Sequence, residues 1–211
     1  MRNSLLHRCI FLLILLSGIS PLVKGQNNGN SPGQGYTFSV FDTAFEKALF
    51  KGTFDISKHH LSGLFFIKSS SPGEYRIMFS NELGMTFFDL ELKGDEFIIH
   101  SCFPSLNKPS LMKILEADLR LLLIPLPKTT KMYLAKSANP DQVVFNVRSA
   151  RSSFRYTWDK SSGRIRRIRT SHATIGKTDL ILDGVEGLQP KKIHIANPFI
   201  KLHIRMTFLS K

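Results

Sequence analysis

The chain has 211 residues, with 29 lysines and arginines against 16 acids and a formal net charge of +13. That length suits one domain with a sizeable core, and the charge selects anionic partners by Coulomb attraction. Two cysteines, Cys9 inside an apolar leader and Cys102, rule out a disulfide-stapled fold; no Walker loop, nucleophile elbow or metalloprotease helix occurs, so an enzyme reading has no anchor and nothing calls for a cofactor.

Arg2 and Arg8 precede an apolar run from Cys9 to Ile19 that closes on Val23-Lys24-Gly25, the pattern of a signal peptide over residues 1–25. The run is short for a transmembrane helix. Without Arg2, Arg8 and Lys24 the mature charge is +10. An exported chain with one remaining cysteine suits a bacterial periplasm. There the anions to expect are lipid head groups or lipopolysaccharide, not nucleic acid. Cys102 reads as a small buried residue near a strand end. Residues 26–38 read as a flexible leader, rich in Asn, Gly, Ser and Pro, and 39–211 as the folded domain. Phe41, Ala44, Phe45, Ala48 and Leu49 recur at helical spacing and predict a short helix between Ser39 and Lys51.

A meander follows. The stretches 52–56, 61–68, 74–80, 85–92 and 96–101 are β-prone and separated by turn residues. Tyr75, Ile77 and Phe79 face one way while Glu74, Arg76 and Ser80 face the other, and Phe88, Leu90 and Leu92 oppose Asp89 and Glu91. Leu64 and Phe66 put apolar groups on the second face of their strand. Next comes an amphipathic helix from Asn107 to Ile124, with Asn107 as cap, Pro109 in the first turn and Pro125 as the stop. Its apolar stripe holds Met112, Leu115, Leu119, Leu122 and Leu123; Lys113, Glu116 and Arg120 fall opposite. Strand-prone sequence resumes from Lys131 and ends in the clean alternation of Ile200 to Phe208. The expected fold class is mainly β. A single curved antiparallel sheet of about eleven strands forms an unclosed half-barrel, with the helix as its lid; a sheet of that size must curl.

Two further clusters bear on function. His59-His60 and the pair His194 and His203 lack acidic or cysteine partners at chelating spacing, so no metal site is expected. Between Arg148 and Arg169 eight cations interleave with Phe154, Tyr156 and Trp158. Arg155, Arg164, Arg166 and Arg169 are the candidates for an anionic partner, since guanidinium forks match phosphate oxygens; a solvated outer face is the plainer reading. Arg166-Arg167 breaks the alternation and suggests a bulge.

The run Glu74-Tyr-Arg-Ile-Met-Phe-Ser-Asn-Glu-Leu-Gly84, the helix ending in Pro-Leu-Pro127 and the closing strand Ile200–Met206 resemble the LolA/LolB family of lipoprotein carriers and receptors, closest to LolB. That resemblance implies acyl chains of a lipoprotein or lipid held in an apolar cavity. The walls here would be Tyr75, Ile77, Phe79, Phe88, Leu90, Met112, Leu115 and Leu119. It also implies delivery to the outer-membrane surface, with a carrier protein as partner and Leu83 as a membrane-inserting loop residue. A leucine at such a tip either folds back on the sheet or stands in solvent. Glu82 replaces the family's loop proline, and the lipid-anchoring cysteine is absent. The competing expectation is an envelope binding or scaffold module with a filled β core, acting through its basic surface.

Overall fold

The computed structural model describes residues 36, 38–126, 130–149 and 151–210. The expected signal segment, most of the expected leader and Pro127 lie outside them. Within this range the period-two alternation becomes twelve strands. β1 Lys47–Ile56, β2 His59–Ser71, β3 Glu74–Ser80, β4 Thr86–Lys93 and β5 Glu96–Cys102 precede the helix α1, Pro109–Leu123. β6 Met132–Ala135, β7 Gln142–Arg148, β8 Ser152–Asp159, β9 Arg164–His172, β10 Gly176–Glu186, β11 Gln189–Asn197 and β12 Leu202–Phe208 follow it.

All twelve form one antiparallel sheet in the order β5-β4-β3-β2-β1-β12-β11-β10-β9-β8-β7-β6. The first and last strands pair in the middle, Phe54 opposite Ile204. The two strands that flank α1 in sequence, β5 and β6, therefore sit at opposite free edges. The sheet is unclosed, and the connection carrying α1 has to cross from one edge to the other. That topology lays the helix against the inner face. Leu111, Met112, Ile114, Leu115, Leu119, Leu122 and Leu123 share one core with inward residues of both halves, among them Phe54, Phe79, Leu90, Phe145, Trp158 and Ile195.

Curvature has local causes. Phe79 opposes Phe88 while Ser80 opposes Thr86, so Phe87 is an extra residue on β4, and both phenylalanines are buried. On β9, Thr157 faces Arg167 and Trp158 faces Ile165, which leaves Arg166 as the bulged residue where the broken alternation predicted one. Bulges of this kind raise the local twist and bend the sheet.

Three details differ from expectation. Residues 39–51 form no helix: Asp42 caps a single turn through Ala44 and Phe45, and from Lys47 the chain is a strand. β1 spends its backbone groups on ladders with both β2 and β12, and that pairing outweighs the helical spacing of Phe41, Phe45 and Ala48, all of which are buried. The cap of α1 is Lys108 in extended conformation with no side-chain hydrogen bond, not Asn107; Pro109 does begin the helix. Tyr36 and Phe38, in the segment expected to be a leader, pack edge-on against Phe145, Tyr156 and Trp158. The second-face residues Leu64 and Phe66 are half-buried, Phe66 beside its cross-strand neighbours Leu49 and Met78.

Candidate functional site

The helix seat is the centre of interest, because the residues expected to receive acyl chains converge there. Ile77, Phe79, Phe88, Leu90, Met112, Leu115 and Leu119 are all buried, and Tyr75 is partly so. With α1 in place they share one packed core. Three cavities lie elsewhere, lined by other side chains.

Polar contacts hold the helix at two sides. Arg120 donates to the carbonyls of Gly94 (2.7 Å), Asp95 (2.7 Å) and Glu96 (3.1 Å) at the β4–β5 turn, and pairs with Glu116 one turn back. On the other side Asp118 faces the sheet, 1 % exposed, and its Oδ1 accepts from Thr178 Oγ1 on β10 at 2.7 Å. Asn197 Nδ2 donates to the same threonine at 3.1 Å, and Asn197 Oδ1 accepts from the backbone of Phe199 at 3.2 Å. Burial drives the Asp118 carboxyl up to about 7, against the opposing pull of Thr178. Its second oxygen has no partner; the Trp158 indole N–H is the other such buried atom among the described residues. Two ties thus hold the amphipathic helix across the sheet.

Beside the C-terminal half of α1 opens a mainly apolar cavity of about 260 Å³. Leu121, Ile124, Leu126, Phe154, Tyr156 and Ile175 line it, together with Asp118 and Thr178. Burial pushes the Tyr156 phenol up to about 12. A second cavity, about 300 Å³, lies at the far end of the same strands between Val40–Thr43 and Ser162–Ile165.

Leu83 is 94 % exposed at the β3–β4 turn and does not fold back on the sheet. Asn81 builds the turn: its side-chain oxygen accepts from the backbone N–H groups of Leu83 (3.0 Å) and Met85 (2.8 Å). Gly84 follows at φ +86, a conformation few other residues adopt. Glu82, beside Leu83, pairs with Lys51 at 3.0 Å.

The four candidate arginines separate. Arg155 and Arg169 sit directly opposite each other on β8 and β9 and line a third cavity, about 510 Å³, on the outer face. Arg166, on the bulge, pairs with Asp183 at 3.6 Å. Arg164 lines the 300 Å³ cavity. Arg148, Arg167 and Lys177 join the outer cleft instead, and Arg167 is taken up by a two-pronged bond to Asp179. Elsewhere His194 and His203 stack with a 3.4 Å ring-nitrogen contact. Burial pushes the Cys102 thiol up, at the end of β5 and half-buried, not fully.

Sequence reading did not single out Asp118, Thr178, Asn197, Arg148 or Lys177 as site residues. The signal for Asp118 was there: Leu111, Leu115, Asp118 and Leu122 share one helical stripe, so an acid at that position must be buried. The rest depend on cross-strand registers that join distant segments.

No protein-family model and no curated protein sequence matches the chain. Among solved structures it resembles a LolA superfamily protein from Nitrosomonas europaea at TM-score 0.53 and 9% identity, over 84% of this chain and 86% of that one. A domain of a putative outer membrane lipoprotein-sorting protein from Vibrio parahaemolyticus aligns at TM-score 0.47 and 8% identity, over 80% and 86%. At such identity the likeness is one of fold: this chain has an open antiparallel sheet with an inner helix, similar in architecture to a LolA superfamily protein.

Proposed function

We propose that this protein is a non-enzymatic carrier of the bacterial periplasm. It takes the acyl chains of lipoproteins or lipids between α1 and the inner face of the sheet and helps deliver them to the outer membrane. The observation that carries the reading is the seating of α1: a helix, apolar toward the sheet, fills the mouth of an unclosed sheet and is tied there by Arg120 and Asp118. The fold shared with a LolA superfamily protein supports it.

The mechanism is exchange of like for like. An acyl chain entering by the 260 Å³ opening meets Leu121, Ile124, Phe154 and Ile175, then displaces α1 from Ile77, Phe79, Phe88 and Leu90. Burial gains about 0.8 kcal/mol per methylene, offset by exposure of the stripe of Met112, Leu115 and Leu119 unless the helix finds new contacts. A nearly balanced exchange is what a carrier needs, since cargo must leave where a membrane offers an equal apolar home. Leu83, standing in solvent, is the residue to enter that membrane.

Native mass spectrometry and lipid extraction of the purified protein test the reading. Co-purifying acyl ligands, or uptake of a fluorescent fatty acid that moves α1, support a carrier. A protein that neither holds nor takes up such ligands, its interior staying packed, would establish the competing scaffold reading.

A further inference from the structure

We infer that the cationic cleft over β7–β10, with the adjoining Phe199 turn, is a docking surface for an anionic phospholipid bilayer. Five cationic side chains and one carboxylate line the cleft. The carboxylate, Asp179, lies across from Arg169 on β10 but makes its two bonds to Arg167. Among the described residues none of Arg148, Arg155, Arg169 and Lys177 is ion-paired. Arg155 and Arg169 are directly opposed across β8 and β9, a like-charge arrangement that destabilises a sheet. Arg155 finds only the neutral Asn146 amide, at 3.0 Å. The chain thus keeps a repulsion that phosphate oxygens from outside would relieve.

Phe199 decides what carries the phosphate. The ring is 68 % exposed on the β11–β12 turn, between Pro198 of the cleft and Gly176. Its place is fixed from both sides. Buried Asn197 accepts from its backbone, and Gly176, at φ +78, passes so close that a Cβ would fall 2.8 Å from that of Phe199. A phenyl ring held in water beside unpaired cations suits a membrane interface, where the ring enters the headgroup layer and the cations meet lipid phosphate. Free phosphate or an acidic peptide would leave the ring without a role. The antiparallel order also puts this turn and the Leu83 turn at the same end of the sheet, four strands or roughly 20 Å apart, so one flat surface can meet both.

The inference stands apart from the acyl-carrier reading, since the test needs no cargo. The protein is sedimented with phosphatidylcholine vesicles with and without phosphatidylglycerol, over a range of salt, and its stability is followed in urea. Preferential, salt-sensitive binding to the anionic vesicles is expected. Arg155→Gln with Arg169→Gln is expected to weaken it roughly 25-fold, at about 1 kcal/mol per charge, while the urea midpoint holds or rises because the opposed charges are gone. Phe199→Ser is expected to weaken it roughly tenfold or more, the scale of burying one large apolar side chain. Equal binding to both vesicle types, unchanged binding by the arginine double variant, or saturable binding of inorganic phosphate without vesicle binding would overturn the inference.

Discussion

Replacing Asp118 by asparagine tests the tie between helix and sheet. The carboxyl is 1 % exposed, one oxygen accepts from Thr178 and the other has no partner, and burial lifts its pKa from 3.8 to about 7. Below about pH 4 folded and unfolded chains both hold the proton, and the site adds no pH dependence. Between about 4 and 7 the unfolded chain loses the proton while the folded one keeps it, so stability falls as pH rises, by about 1.4 kcal/mol per unit. The loss is complete above about 7 and on the order of 4 kcal/mol. The amide that replaces the carboxyl stays neutral at every pH and can still accept from Thr178. Urea unfolding of both proteins is therefore expected to give similar midpoints at low pH. At pH 8 the Asp118→Asn midpoint should be higher by about 2 M, for a slope of ~2 kcal/mol per M. Arg120, His172 and Tyr156 border the same cavity in both proteins, so the difference reports Asp118 alone. A difference that stays constant from low to high pH would refute the reasoning. The functional corollary is that α1 separates from the sheet more readily as pH rises, since release lets the carboxyl ionise in water.

Leu83→Glu is expected to cut transfer of a bound acyl cargo to liposomes roughly tenfold or more, from loss of ~1.5–3 kcal/mol of bilayer burial, with uptake unchanged; equal transfer rates would retire that role. Arg120→Ala removes three carbonyl contacts at the β4–β5 turn. It is expected to cost about 1.5–3 kcal/mol and to speed hydrogen exchange in 109–123 more than in β1 or β12, which a uniform change would contradict. Leu115→Ala opens space at a position 0 % exposed, so stability should fall by ~2–5 kcal/mol. In a carrier, calorimetric titration should then show a gain in fatty-acid binding; no gain would favour the scaffold.

The sequence by itself determined the elements that are written in local periodicity. Glu74–Ser80 and Arg164–His172 were legible residue for residue, because Ile77 and Phe79 in one and Ile165 and Ile168 in the other are buried between less buried neighbours. The bulge at Arg166 showed as a break in that rhythm, and α1 as a stripe between prolines. Only the tertiary structure decided the start of β1, whose helical spacing yields to two flanking ladders, and the exposure of Leu83, which rests on one asparagine side chain. It alone sorted four similar arginines into a shared cleft, a surface ion pair and a separate cavity. It alone brought Asp118 to Thr178, sixty positions away. The reason is physical: a strand or helix is set by neighbours within a few residues, whereas charge environment, burial and partnership are set by register across a sheet, which no short window of sequence contains.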